Sequence, residues 1–199
     1  MSKEGKTLSE RSHLWDKWGG HYRLESKNKE GKSEVVLFSN ISKKEGTAYR
    51  DGQKLEGAAA GKLIQSAYGG FINDMYWLAM PWKWMDEGVK LKYLGPKTRG
   101  ADTYDVVELT FGKVGMTPGD MYNAYVSQKS HMMEHWEYTL QSKQKGSWDW
   151  HYSDAGALKL ASDHTNDQKM SISMGAVRVL GRVDDAFFTD PKHDLSQLK

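Results

Sequence analysis

The stretch from Gly69 to Gly95 constrains this chain more than any other, because the hydrophobic period changes inside it. Before it, Leu63, Ile64, Ala67 and Phe71 recur at helical spacing. After it, Val89, Leu91 and Tyr93 alternate with Lys90 and Lys92, the period of a half-buried strand. Pro81 forces the change: proline has no amide donor and disfavours helix in the preceding residue, here Met80. Trp77, Trp82 and Trp84 crowd the junction. So aromatic a segment needs a surface to lie on, and the strands on both sides can supply one.

The first half reads as strands leading into a helix. A strand pattern over 12–26 is interrupted by Gly19-Gly20 as a bulge or bend. Next come a strand over 34–41 and a short one over 46–51, with Asp51-Gly52 as a hairpin turn. The helix starts near Glu56. Gly69-Gly70 is expected to break it in two, with Asn73 or Asp74 capping the second piece and Phe71, Met75 and Leu78 facing the sheet. From Val89 onward the pattern is a β-meander, with strands over 103–111, 121–126, 131–140, around Trp148, Trp150 and Tyr152, over 158–163 and over 170–180. Thr117-Pro118-Gly119-Asp120 and Asn166-Asp167 serve as turns, and a bulge is expected at Gly175.

The length of 199 residues suits a flexible arm over 1–11, one domain over 12–190 and a C-terminal tail over 191–199. A net charge of +2 with acids and bases interleaved argues against nucleic-acid binding. The absence of cysteine excludes disulfides, thiolate metal sites and cysteine nucleophiles. No apolar run approaches the ~20 residues of a spanning helix. The polar start, Met-Ser-Lys-Glu-Gly-Lys, has no signal-peptide apolar region, so the expected location is cytoplasmic as written, or extracytoplasmic if a leader has been removed.

Candidate sites divide into charged and aromatic sets. His131 and His135 would share a helix face suited to zinc, but the alternation around Trp136 makes the segment a strand, which separates them by ~13 Å; no metal and no cofactor is expected. Asp149, His151 and Asp154 suggest acid–base chemistry without a nucleophile elbow, and no catalytic residue is assigned. The aromatic share is large, with eight Trp and ten Tyr. It fits either a core of large side chains or a pocket for an apolar or amphiphilic ligand, walled by Met75, Tyr76, Trp77, Trp82, Trp84, Trp136, Trp148 and Trp150.

The run from Ala67 to Trp84, with Asn73-Asp74-x-Tyr76-Trp77-Leu78-x-Met80-Pro81 at its centre, resembles a family of bacterial envelope proteins related to the LolA/LolB lipoprotein carriers. Gly88 to Gly95, Tyr104 to Phe111, Val114 to Asp120 and His135 to Tyr138 continue the likeness, which spans Leu14 to Phe188. Family members begin with a signal peptide, a helix and a first strand, whereas this chain starts close to the second strand. The resemblance implies a mainly β (α+β) fold, a curved antiparallel half-barrel sheet with helices covering its concave face. It also implies a non-enzymatic carrier that binds a lipid or acylated protein in the periplasm. The alternatives are a small hydrolase or isomerase using Asp and His groups in the same cavity, and a structural or partner-binding protein with a filled cavity.

Overall fold

The computed structural model describes residues 1–112 and 117–198. Its strands are β1 (Ser2–Lys3), β2 (Lys6–Thr7), β3 (Arg11–Trp15), β4 (Tyr22–Lys27), β5 (Ser33–Asn40), β6 (Glu45–Arg50) and β7 (Gln53–Lys54). Helix α1 (Gly57–Ala79) and a 3-10 turn (Met80–Lys83) follow. Then come β8 (Val89–Arg99), β9 (Asp102–Phe111), β10 (Met121–Ser127), β11 (Met133–Thr139), β12 (Lys145–Ala155), β13 (Leu158–Thr165) and β14 (Met170–Ser173). A short helix α2 (Ala186–Thr189) and a 3-10 turn (Leu195–Gln197) close the chain. The architecture is thus the mainly β (α+β) fold that the resemblance implies, antiparallel throughout, with one long helix and its strands divided between two open sheets. The expected single domain over 12–190 meets a chain that divides into two compact units: Met1–Thr7 with Tyr76–Val179, and Leu8–Met75 with Leu180–Lys199. Among the described residues no helix is long and apolar enough to cross a membrane.

The second of these units is built on the sheet β3-β4-β5-β6-β7, each strand antiparallel to the next. The expected bend at Gly19-Gly20 is a full hairpin turn, because Asp16 Oδ1 accepts from the amides of Trp18 and Gly19 at 3.0 and 2.9 Å. Asp51-Gly52 closes the β6–β7 hairpin with both residues at positive φ, 49° and 76°, and Arg50 pairs with Gln53. On this sheet α1 lays Leu63, Ile64, Ala67 and Phe71 against Tyr22, Leu24, Val36 and Phe38. The helix runs unbroken through Gly69-Gly70, contrary to the expected break. A helical glycine costs only about 1 kcal/mol, less than the burial of one such apolar side chain returns. Asp74 is therefore no cap; its carboxylate takes Arg11 Nε at 2.6 Å and His13 Nε2 at 3.3 Å.

The expected tail is tied down in the same unit. Arg23 is 1% exposed, and its guanidinium donates to the carbonyls of Phe187 (3.0 Å), Asp190 (2.9 Å), Pro191 (3.2 Å) and His193. Its Nε meets Glu25 at 2.6 Å. Four backbone acceptors and one carboxylate offset the desolvation of a buried cation.

The other unit carries the sheet β2-β1-β14-β13-β12-β11-β10-β9-β8, nine strands among the described residues, consecutive from β8 to β14. Residues expected in a flexible arm are strands here: Ser2 pairs with Ser171, and their hydroxyls lie 2.7 Å apart, so the arm covers the otherwise free edge of β14. The strand expected over 170–180 ends at Ser173. Gly175, at φ +57°, turns the chain out of the sheet instead of bulging within it. The strand expected from His131 begins at Met133, after His131 adopts φ 59°. A register shift between Tyr125 and Val126 then sets Met133 on the same face as Trp136, not the opposite one. The Thr117–Asp120 turn closes by Asp120 N donating to Thr117 O at 3.0 Å, whereas Val114 to Met116 of the family-like run lie outside the described residues.

Candidate functional site

Strand alternation collects the large rings of β10 to β13 on one face. Register puts Trp136 opposite Trp148, Ala124 beside Trp136, and Trp150 opposite His164. Above them lie Tyr76 and Trp77, from the last turn of α1, and Met80 from the turn that Pro81 starts. Trp77 is the centre of this layer. Its ring lies 4.8 Å from Trp136 and nearly parallel, 5.1 Å from Trp148 edge-on, 5.8 Å from Trp150 and 5.0 Å from His164. Tyr76 touches Tyr122 and Trp136, and Trp84 packs at the margin, donating Nε1 to Met80 Sδ at 2.9 Å.

Of the side chains read from the sequence as a pocket wall, Tyr76, Trp77, Trp84, Trp136, Trp148 and Trp150 are brought together. Trp82 is 62% exposed and stands outside this layer, and Met75 is half-buried in the other unit. Trp136, Trp148 and Trp150 are 5%, 5% and 2% exposed, so in this structure the rings cover one another.

His164 is the residue the sequence reading missed. It is fully buried, with its ring 4.4 Å from that of Trp150. Among the described residues neither of its nitrogens makes a hydrogen bond of good geometry, although the backbone of Ala161 lies near enough to favour its cation, and Nε1 of Trp136 and of Trp150 has no partner. Burial lowers the His164 pKa to about 4, against the opposing pull of Asp163 and with the repulsion of His151, so the imidazole is neutral at physiological pH. Burial, then the neighbouring Tyr122, Asp86 and Asp120, raises the phenol of Tyr76 above its usual range. The layer is therefore uncharged, with polar ring atoms left over.

The opposite face of the same strands is charged. His135, buried to 4% exposure, shares a hydrogen bond of 2.7 Å between Nδ1 and Asp149 Oδ1, and Arg99 Nη1 reaches the same oxygen at 3.1 Å. Beside Arg99 and Asp149 lies an open depression of about 430 Å³, walled also by Tyr104, Glu134, Trp150, His151 and Tyr152 and not by His135. Asp154, expected near Asp149 and His151, pairs with Lys159 at 2.7 Å instead. Among the described residues no group of three or more His, Asp or Glu could hold a metal ion.

No family model and no curated protein matches the chain. Solved structures do match. The chain is similar along its whole length to 87% of a DUF1329 family protein from Desulfovibrio piger, at 12% identity and a TM-score of 0.51. It is similar over 82% of its length to 72% of a putative outer membrane lipoprotein-sorting protein domain from Vibrio parahaemolyticus, at 8% identity and a TM-score of 0.40. A LolA superfamily protein from Nitrosomonas europaea matches 74% of the chain with 70% of its own, at 12% identity and a TM-score of 0.36. At 12% identity the likeness to the DUF1329 family protein is one of fold.

Proposed function

We propose that this protein binds a lipid or lipoprotein acyl chain, non-catalytically and in the bacterial envelope, against the aromatic face of strands β10 to β13. The observation that carries this reading is the pair of buried indole nitrogens, on Trp136 and Trp150, without partners among the described residues. A layer that served packing alone gains nothing from them. Each buried polar group left unpaired costs about 1–3 kcal/mol, and phenylalanine would fill similar space without that penalty. An amphiphile uses both properties: its chain lies on the indole faces, and a head-group oxygen accepts from the indole N–H groups. The Asn73 to Pro81 resemblance to lipoprotein carriers supplies the ligand class and the compartment. Entry requires Trp77 to leave its stack on Trp136, so the last turn of α1 acts as a plug that the ligand displaces.

The test is a fluorescence titration of detergent-free protein with a long-chain fatty acid and with acetate. Saturable quenching by the fatty acid alone, together with a raised melting temperature, is the expected result. No response to any long-chain lipid, with native mass spectrometry showing no co-purified lipid, would refute the reading and leave a protein whose interior is filled by its own side chains.

A second reading rests on the His135–Asp149 pair beside Arg99. A carboxylate on Nδ1 orients an imidazole for proton transfer through Nε2, and the open depression reaches its partner Asp149. Turnover of ester or isomerase substrates that His135→Gln abolishes would establish this chemistry; turnover that survives the change would exclude it.

A further inference from the structure

We propose that the segment from Trp82 to Arg99 docks this protein onto an anionic lipid bilayer. Large apolar side chains lie uncovered along it: Met85 is 88% exposed, Trp82 62%, Tyr93 61% and Leu91 42%. They sit among Lys83, Lys90, Lys92, Lys97 and Arg99, against which the segment sets only Asp86 and Glu87. That excess of three positive charges exceeds the +2 of the whole chain, so the remainder of the molecule is slightly acidic. Lys83 and Arg99 are engaged with Asp86 and Asp149, whereas Lys90 and Lys92 make no ion pair among the described residues.

Backbone geometry favours a lipid surface over a protein strand. β8 is an edge of its sheet, so one row of its amides and carbonyls has no neighbouring strand among the described residues. Lysines on such an edge oppose pairing with another strand. The same lysines, with amphipathic Trp and Tyr rings, are the chemistry that settles at the headgroup level of a bilayer. Register sends Leu91 and Tyr93 to the side of Leu109 and Val107, and Lys90 and Lys92 to the side of Thr110 and Glu108. Set edge-on to the membrane, the strand offers apolar groups along one flank and cations along the other. The proposal is tested independently of acyl-chain binding, since Trp82, Met85, Lys90 and Lys92 do not belong to the layer around Trp77.

Co-sedimentation of the full chain with phosphatidylcholine vesicles, and with vesicles also containing phosphatidylglycerol, tests it. Binding only to the anionic vesicles, weakened by salt and reduced about tenfold or more by the double change Lys90→Gln, Lys92→Gln, is expected. Trp82→Ser with Met85→Ser should weaken it as well. All four positions are exposed, so melting temperatures should match the parent protein, and fatty-acid titration should be unchanged in both variants. No binding to anionic vesicles, equal binding by the parent and both variants, or concentration-dependent self-association through β8 in place of vesicle binding would overturn the proposal.

Discussion

The indole of Trp77, carried on the last turn of α1, stacks on that of Trp136 in β11 with ring centroids 4.8 Å apart and planes 7° from parallel. One helical side chain thereby covers a sheet layer that four strands assemble. Trp77→Ala should destabilise the protein by about 3–5 kcal/mol, the range for removing a large core side chain. Trp77→Phe should cost less, because part of the stack survives. Urea unfolding measures both; a loss under ~1 kcal/mol for alanine would show that the layer does not depend on its plug.

His164 gives the layer a pH dependence. Its native pKa, about 4, lies below the ordinary value of 6.5 because burial disfavours the cation. Between those values the unfolded chain binds a proton that the native state does not, so stability rises with pH across this window. Relative to pH 7, His164 should cost an increasing amount as pH falls, reaching about 2–4 kcal/mol near pH 4. His164→Phe should remove this part of the slope. Unfolding free energies of both proteins at pH 7, 5.5 and 4.5 supply the comparison, and equal slopes would mean that His164 already ionises in the native state.

Asp74 gives the opposite kind of dependence. Burial alone would raise its carboxyl, but hydrogen bonds from His13, Arg11 and Asn73 outweigh that and hold it well below the usual range. A carboxyl depressed in the folded state contributes its full stability above its ordinary value and loses it progressively as pH falls below about 4. Asp74→Asn should cost about 1–3 kcal/mol at pH 7, and the deficit should shrink below pH 4. A deficit constant from pH 7 to pH 3 would separate the effect from charge.

Gly61 stands exposed within α1, and a Cβ there would meet no atom within 4 Å. Gly61→Ala should stabilise the protein by about 0.5–1 kcal/mol, through helix propensity and a less free unfolded chain. A drop in melting temperature would show that the site has a neighbour in solution.

Local rules were sufficient where the physics is local. The period change at Pro81, the Asp51-Gly52 turn, the alternation of Trp148, Trp150 and Tyr152, and the start of α1 all follow from side-chain spacing and allowed backbone angles within a few residues. They also singled out by type six aromatic residues that pack into one layer. What lay beyond them depends on partners distant in sequence. Tertiary packing carries α1 through Gly69-Gly70, because the apolar contacts of Phe71 and Ala67 outweigh a small propensity cost. Arg23 looks like an ordinary strand residue until residues 187–193 bring their carbonyls to it. His164 joins the aromatic layer only when strand register sets it opposite Trp150, and His135 meets Asp149 by the same means. Sequence determined which faces are apolar and where the chain turns; only the tertiary structure decided which polar atoms those faces would enclose, since hydrogen-bond partners and burial are set by register and by the layer above.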